Sequence, residues 1–185
     1  MNNALIEKAK EKVFSQIAKH GEDPWHLKVH LIEAEKWAKK ILKKYPEADS
    51  DVILLSVWLH DIGHYPIPAD DHAVISEKIA KEFLEDEKVD AELADKVLHC
   101  VRSHRNRDVK PATFDAKLFA MIDSVSHFTY IPYFEMYQSG RSKEAMEKLE
   151  RDYRDIIPFP EIKDEITPLY NAFKNLLIEL DKIKF

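Results

Sequence analysis

The chain is expected to fold as an all-α, compact multi-helix bundle, and three features of the sequence point there. Apolar residues recur at helical spacing along nearly the whole chain. No convincing run alternates apolar and polar residues with period two, and no Asn-Gly or Asp-Gly pair marks a hairpin. Only three glycines occur among 185 residues, of which 34% are charged, a composition that fits a helical and thermally robust protein.

Residues 3–20 form the first helix. The second covers 24–45, with Asp23 as its N-cap and Pro24 in its first turn, where the missing N–H costs no hydrogen bond. His26, His30, Ala34, Trp37 and Ile41 share one face of it, and Tyr45-Pro46 ends it. Asp49 or Ser50 caps a third helix, 51–62, whose run Val52-Ile53-Leu54-Leu55-Ser56-Val57-Trp58-Leu59 is apolar enough to be buried. Tyr65-Pro66-Ile67-Pro68 reads as an irregular loop. A fourth helix covers about 70–86 and a fifth about 91–105. On the fifth, Leu93, Val97, Val101 and His104 form one stripe, and His99 points away from it toward solvent. Asn106 to Ala112 make a polar loop. The sixth helix, about 113–138, carries Phe114, Leu118, Met121, Ile122 and Val125, and Ser139-Gly140 stops it. A seventh starts at Ser142 and ends at Pro158 and Pro160. The last, about 162–183, is amphipathic through Ile166, Leu169, Phe173, Leu176, Leu177, Leu180 and Ile183. It is expected to lie on the core, with a homodimer interface as the alternative.

At this length one domain over residues 1–185 is the expectation, because no repeat, low-complexity stretch or long linker divides the chain. The net charge of -6 gives no strong signal for nucleic acid. The single cysteine, Cys100, excludes an intramolecular disulfide framework and fits a reducing compartment. No signal peptide opens the chain, and no apolar run approaches the roughly 20 residues that span a bilayer. A cytoplasmic protein that does not enter membranes is therefore expected.

The chemistry concentrates in a few residues. His60-Asp61 sits at the inner end of the apolar third helix, and ionisable groups are rarely buried unless they are paired or bind a metal. His30 lies on the inner face of helix two and Asp123 on helix six. Imidazole and carboxylate together suit a divalent Mn, Fe, Co, Ni, Zn or Mg ion. Four ligands from three helices leave positions open for water and substrate, as a catalytic metal requires.

The order His30, then His60-Asp61, then Asp123 resembles the HD superfamily of metal-dependent phosphohydrolases. Asp23-Pro24-Trp25-His26-Leu27-Lys28-Val29-His30 is similar to the family's Asp-x-x-His-x-x-x-His opening. Leu59-His60-Asp61-Ile62-Gly63 matches its signature, and Ala120-Met121-Ile122-Asp123-Ser124-Val125 is similar to the segment with the final Asp. The resemblance spans about residues 20–130, with the C-terminal helices of 141–185 packing on that core.

It implies His30, His60, Asp61 and Asp123 as metal ligands. It adds His64, His72 and His104, with Asp61, as catalytic groups. The form His-Asp-x-Gly-His resembles the nucleotide-triphosphohydrolase branch, while His72 and His104 resemble the added ligands of two-metal phosphodiesterases. His104-Arg105 stands where those enzymes commonly have a His-His pair, so one metal is favoured and a second stays open. His26, Arg105 and Arg107 are candidates for binding substrate. With Arg102 and Lys110, those arginines make either a phosphate clamp or a solvated helix end. Trp25 and Tyr65 are candidates to stack on a base. The implied activity is hydrolysis of a phosphate ester, of a nucleotide above all, by metal-activated water. Two alternatives remain: a non-catalytic, regulatory nucleotide-binding HD domain, and a di-iron oxygenase on the same scaffold.

Overall fold

The computed structural model describes residues 2–23, 26–65, 71–130 and 132–183. Pro24, Trp25 and the loop Pro66-Ile67-Pro68 lie outside the described residues. Among the described residues every regular element is helical: α1 (Asn3–His20), α2 (Leu27–Ile41), α3 (Ser50–Leu59), a 3-10 turn (Ile62–His64), α4 (His72–Asp86), α5 (Ala91–Ser103), α6 (Phe114–Tyr130), α7 (Pro132–Gln138), α8 (Ser142–Ile156) and α9 (Pro160–Lys182). No helix among them is long and apolar enough to cross a membrane. The chain divides into two compact units, residues 1–123 and 124–185.

In the first unit α3 is the hub, contacting α1, α2, α4 and α5. Every residue from Val52 to Leu59 is buried, as expected of a helix that is apolar all round. Each buried Leu, Ile or Val there contributes about 1.5–3 kcal/mol. The Asp49 carboxylate caps α3 by accepting from the Asp51 and Val52 N–H groups. The third helix stops at Leu59, short of the expected 62, and His60 is its C-cap.

Other boundaries move for identifiable reasons. Helix α2 starts at Leu27, not 24. The Asp23 carboxylate reaches forward to the N–H groups of Leu27 and Lys28, both at 2.9 Å. His26 between them takes a left-handed φ of 48°. The expected sixth helix is two: α6 ends at Tyr130 and α7 begins at Pro132, because a proline ring cannot follow a helical turn without losing a hydrogen bond and clashing. Gly140, at φ 80°, ends α7 as expected. Phe114 is 41% exposed, and Leu93 is half-buried. His99 is half-buried, not solvent-facing, and its Nε2 accepts the Ala112 N–H at 3.0 Å. Helix α9 opens on Pro160, earlier than 162. It buries Ile162, Ile166, Tyr170 and Leu177, which fall on one narrow line, and leaves Leu169, Leu176 and Ile183 exposed.

In the second unit α8 contacts both α7 and α9. Its buried Asp152 accepts from the Tyr133 hydroxyl at 2.9 Å and faces His127 Nδ1 at 3.1 Å and Lys148 Nζ at 3.2 Å. Burial would raise the Asp152 carboxyl, but the charges of Lys148 and His127 outweigh it and hold the group below its ordinary value. A depressed carboxyl stabilises the fold above the unfolded-state value of 3.8, and that stability is lost as pH falls through the lower folded value. Asp152→Asn is expected to cost about 3 kcal/mol at neutral pH by leaving Lys148 without its buried counter-charge. Urea unfolding at pH 7 and pH 3 checks this, and the difference between variant and wild type should shrink at the lower pH.

Candidate metal centre

Helices α3 and α5 pack together and end alike. Each has a histidine as its C-cap, His60 on α3 and His104 on α5. In each, Nδ1 meets the carbonyl three residues back, at 3.0 Å on Val57 and 2.7 Å on Val101. A carbonyl only accepts, so Nδ1 carries the proton and Nε2 is left as the ligand atom. The two rings meet edge to face with centroids 4.9 Å apart, and Phe119 of α6 packs on His60 from another side at 5.3 Å.

Around this pair the remaining groups divide between the two oxygens of Asp61. On the Oδ2 side, His30 Nε2 and His60 Nε2 each lie 3.5 Å from it and 3.1 Å from each other. Asp123 Oδ1 stands 3.2 Å from His30 Nε2 and 3.3 Å from His60 Nε2. On the Oδ1 side, His72 Nε2 is at 3.1 Å, His104 Nε2 at 3.5 Å and His64 Nε2 at 3.8 Å. His72 and His104 approach within 3.3 Å through their Nε2 atoms, and the His64 ring stacks on His72.

These distances suit a metal. Two ligand atoms in a tetrahedral shell with bonds of about 2.0–2.1 Å lie about 3.3 Å apart. Asp61 Oδ1 is buried and, for all the nitrogens around it, receives no hydrogen bond of acceptable geometry. An acceptor in that condition is costly unless a cation answers it. Among the described residues, His30, His60 and Asp61 form one group able to hold a metal, His60, His104 and Asp123 another, and Asp61, His72 and His104 a third.

The electrostatics follow from crowding. Burial pushes the His60 ring down, but Asp61 and Asp123 outweigh it and bring the ring up to about 9. Burial would raise the Asp61 carboxyl, yet His60, His72, His64 and His104 hold it well below the usual carboxylate range. His64 is pushed down to about 4, by burial first and then by its histidine neighbours, so it is neutral at pH 7. Burial also lowers His104. Neither His64 nor His104 keeps the ordinary imidazole value near 6.5.

The other candidates stand differently. His26 is exposed at the start of α2 and joins none of the metal-capable groups. Tyr65 is buried, gives its hydroxyl to Asp23 and stacks on His20, so its ring is not a base platform. Arg102 engages Asp108 and Glu77, Arg105 engages Asp71, and Arg107 is exposed. Sequence reasoning missed that Asp61 presents one oxygen to each set of histidines. It also missed the two orienting carbonyls, whose only sequence signal is a histidine at the end of a buried helix.

A buried His/Asp cluster that could hold a divalent metal, borne on an all-helical frame, defines the class. Residues 28–151 match the family model described as HD domain, and the chain belongs to the HD-domain family, whose members are mostly hydrolases. No match was found among the curated proteins or the solved structures.

Proposed function

We propose that this protein is a metal-dependent phosphohydrolase that cleaves a phosphate ester, with a nucleotide as the substrate class. The observation that carries the reading is Asp61 lying between two sets of imidazole nitrogens. His30, His60, Asp61 Oδ2 and Asp123 would hold one cation. Asp61 Oδ1, His72 and His104 would be the donor set for a second. Held there, a divalent cation would supply Lewis-acid polarisation of a phosphoryl oxygen and a lowered pKa for a water molecule. The chain's part is to hold the ligands rigid and in the right orientation. The Val57 and Val101 carbonyls keep the Nε2 lone pairs of His60 and His104 turned inward. His64, neutral at pH 7 with Nε2 3.8 Å from Asp61 Oδ1, would serve as a hydrogen-bonding group for the substrate phosphate. Such positioning and charge are most of what phosphoryl transfer needs.

The nucleotide preference rests on the His60-Asp61-Ile62-Gly63-His64 form and its resemblance to the nucleotide-triphosphohydrolase branch. The test is a screen of nucleotides and simple phosphate esters against protein loaded in turn with Mn, Fe, Co, Ni, Zn and Mg. Metal-dependent release of phosphate, abolished by chelation and by the His60→Ala/Asp61→Ala variant, is the expected result. Tight nucleotide binding without turnover would instead indicate a regulatory domain. The same Oδ1-side histidines favour one other reading, a di-iron oxygenase, which oxygen consumption by iron-loaded protein would reveal.

Metal affinity should depend on pH in a defined direction. With its ring at about 9, His60 carries a proton at pH 7 that metal binding must displace. Apparent affinity should therefore rise about tenfold per pH unit from 7 toward 9, with about one proton released per cation at that position. Calorimetric titration in buffers of different ionisation enthalpy measures the released proton, and a pH-independent affinity would contradict it.

A further inference from the structure

We propose that the ion pair between Asp71 and Arg105 is a positioning clasp that holds His72 and His104 against Asp61 Oδ1 and so governs the second cation position; this rests on the two-cation reading above. Asp71 directly precedes His72 at the start of α4, and Arg105 directly follows His104 at the end of α5. Arg105 Nη1 donates to Asp71 Oδ1 at 3.2 Å, and the arginine side chain is 17% exposed. The pair therefore bridges the same two chain segments that carry the two histidines, one residue outside each.

The behaviour of Asp71 as a cap is the telling observation. Asp49 on α3 and Asp90 on α5 each turn the carboxylate inward and accept two N–H groups of their own helix. Asp71 occupies the same N-cap position on α4 and makes no capping hydrogen bond. Its carboxylate faces Arg105 instead, and α4 gives up a stabilising interaction that an N-cap aspartate normally supplies. A second contact, Arg102 Nε to Glu77 at 3.5 Å, ties α5 to α4 one turn further along. The first residue of a helix is where fraying is easiest, and His72 is that residue. An ion pair just before it holds the ring where His104 Nε2 is 3.3 Å away.

The test is Mn2+ titration of the full chain by calorimetry, for wild type, Arg105→Gln, Asp71→Asn and the exchanged pair Asp71→Arg/Arg105→Asp. Thermal unfolding of each variant, followed by its helical signal, runs alongside. Wild type should bind two cations. Arg105→Gln and Asp71→Asn should keep the tighter one and bind the weaker one about 10–100-fold less well, the range for groups that orient ligands. The exchanged pair should recover part of the loss. Two cations bound by both single variants as by wild type would overturn the clasp, as would equal weakening of both positions. A wild-type chain that takes up one cation removes the two-cation reading itself, and the inference with it.

Discussion

Asp61→Asn is expected to empty both proposed cation positions and to lower the proposed phosphohydrolase turnover by about a thousandfold or more. An amide offers one ligand oxygen where the carboxylate offers two, and it carries no charge. Both oxygens are engaged: Oδ2 faces His30 and His60 at 3.5 Å, and Oδ1 faces His72, His104 and His64 at 3.1–3.8 Å. A metal supplies several kcal/mol of transition-state stabilisation, and about 4 kcal/mol is about a thousandfold in rate. The loss should also reach His60. Asp61 is the first of the charges that raise that ring to about 9, so the variant should titrate His60 at lower pH. The fold itself should survive, because the apolar body of α3 is untouched. Elemental analysis, turnover and the helical signal measured together check the set. A variant that kept full metal content and full activity would remove Asp61 from the centre.

Gly63→Ala should damage the protein in a different order, structure first and metal second. A Cβ at Gly63 would run into the His72 carbonyl oxygen, and it would stand 2.6 Å from the Ser76 N and 2.8 Å from Ser76 Oγ. Two of those three atoms are backbone in the first turn of α4, so no side-chain rotation relieves the clash. The Gly63 N–H also donates to Ser76 Oγ at 2.9 Å, which ties the 3-10 turn to α4. Helix α4 must move outward, at a cost of about 1–3 kcal/mol. Because α4 begins with His72, the donors around Asp61 Oδ1 should lose affinity more than those around Oδ2. Gly140→Ala is the contrasting control. Gly140 has φ 80° and nothing within 4 Å of an added Cβ, so that change should strain only the local backbone and leave metal binding intact. Urea unfolding and Mn2+ titration of the two variants distinguish these outcomes. Wild-type stability in Gly63→Ala would show that α4 does not approach the turn so closely.

Much of the frame was legible in the sequence because it depends on local chemistry. The unbroken apolar run of α3 required burial whatever it packed against, and the pattern at helical spacing excluded strands. Gly140 marked its helix end correctly, since only glycine takes that φ without strain. Pro132 was equally visible, and its power to split the sixth helix was underweighted against the apolar spacing around it. The N-cap position of α2 falls to His26 rather than Asp23; the Asp23 carboxylate still reaches the Leu27 and Lys28 N–H groups, because His26 turns left-handed, which no spacing rule foretells.

The sequence by itself determined an all-helical chain and the residue types gathered in it, down to the order His30, His60-Asp61, Asp123 that places it in the HD-domain family. Tertiary structure alone decided what those residues do for one another. That His72 and His104, 32 positions apart in sequence, meet across 3.3 Å depends on the packing of α4 against α5. That Asp61 turns one oxygen to each set of histidines depends on a 3-10 turn following α3. The shift of His60 up to about 9 and His64 down to about 4 comes from burial and neighbouring charges. Such effects fall off over a few ångströms in space and take no account of separation along the chain.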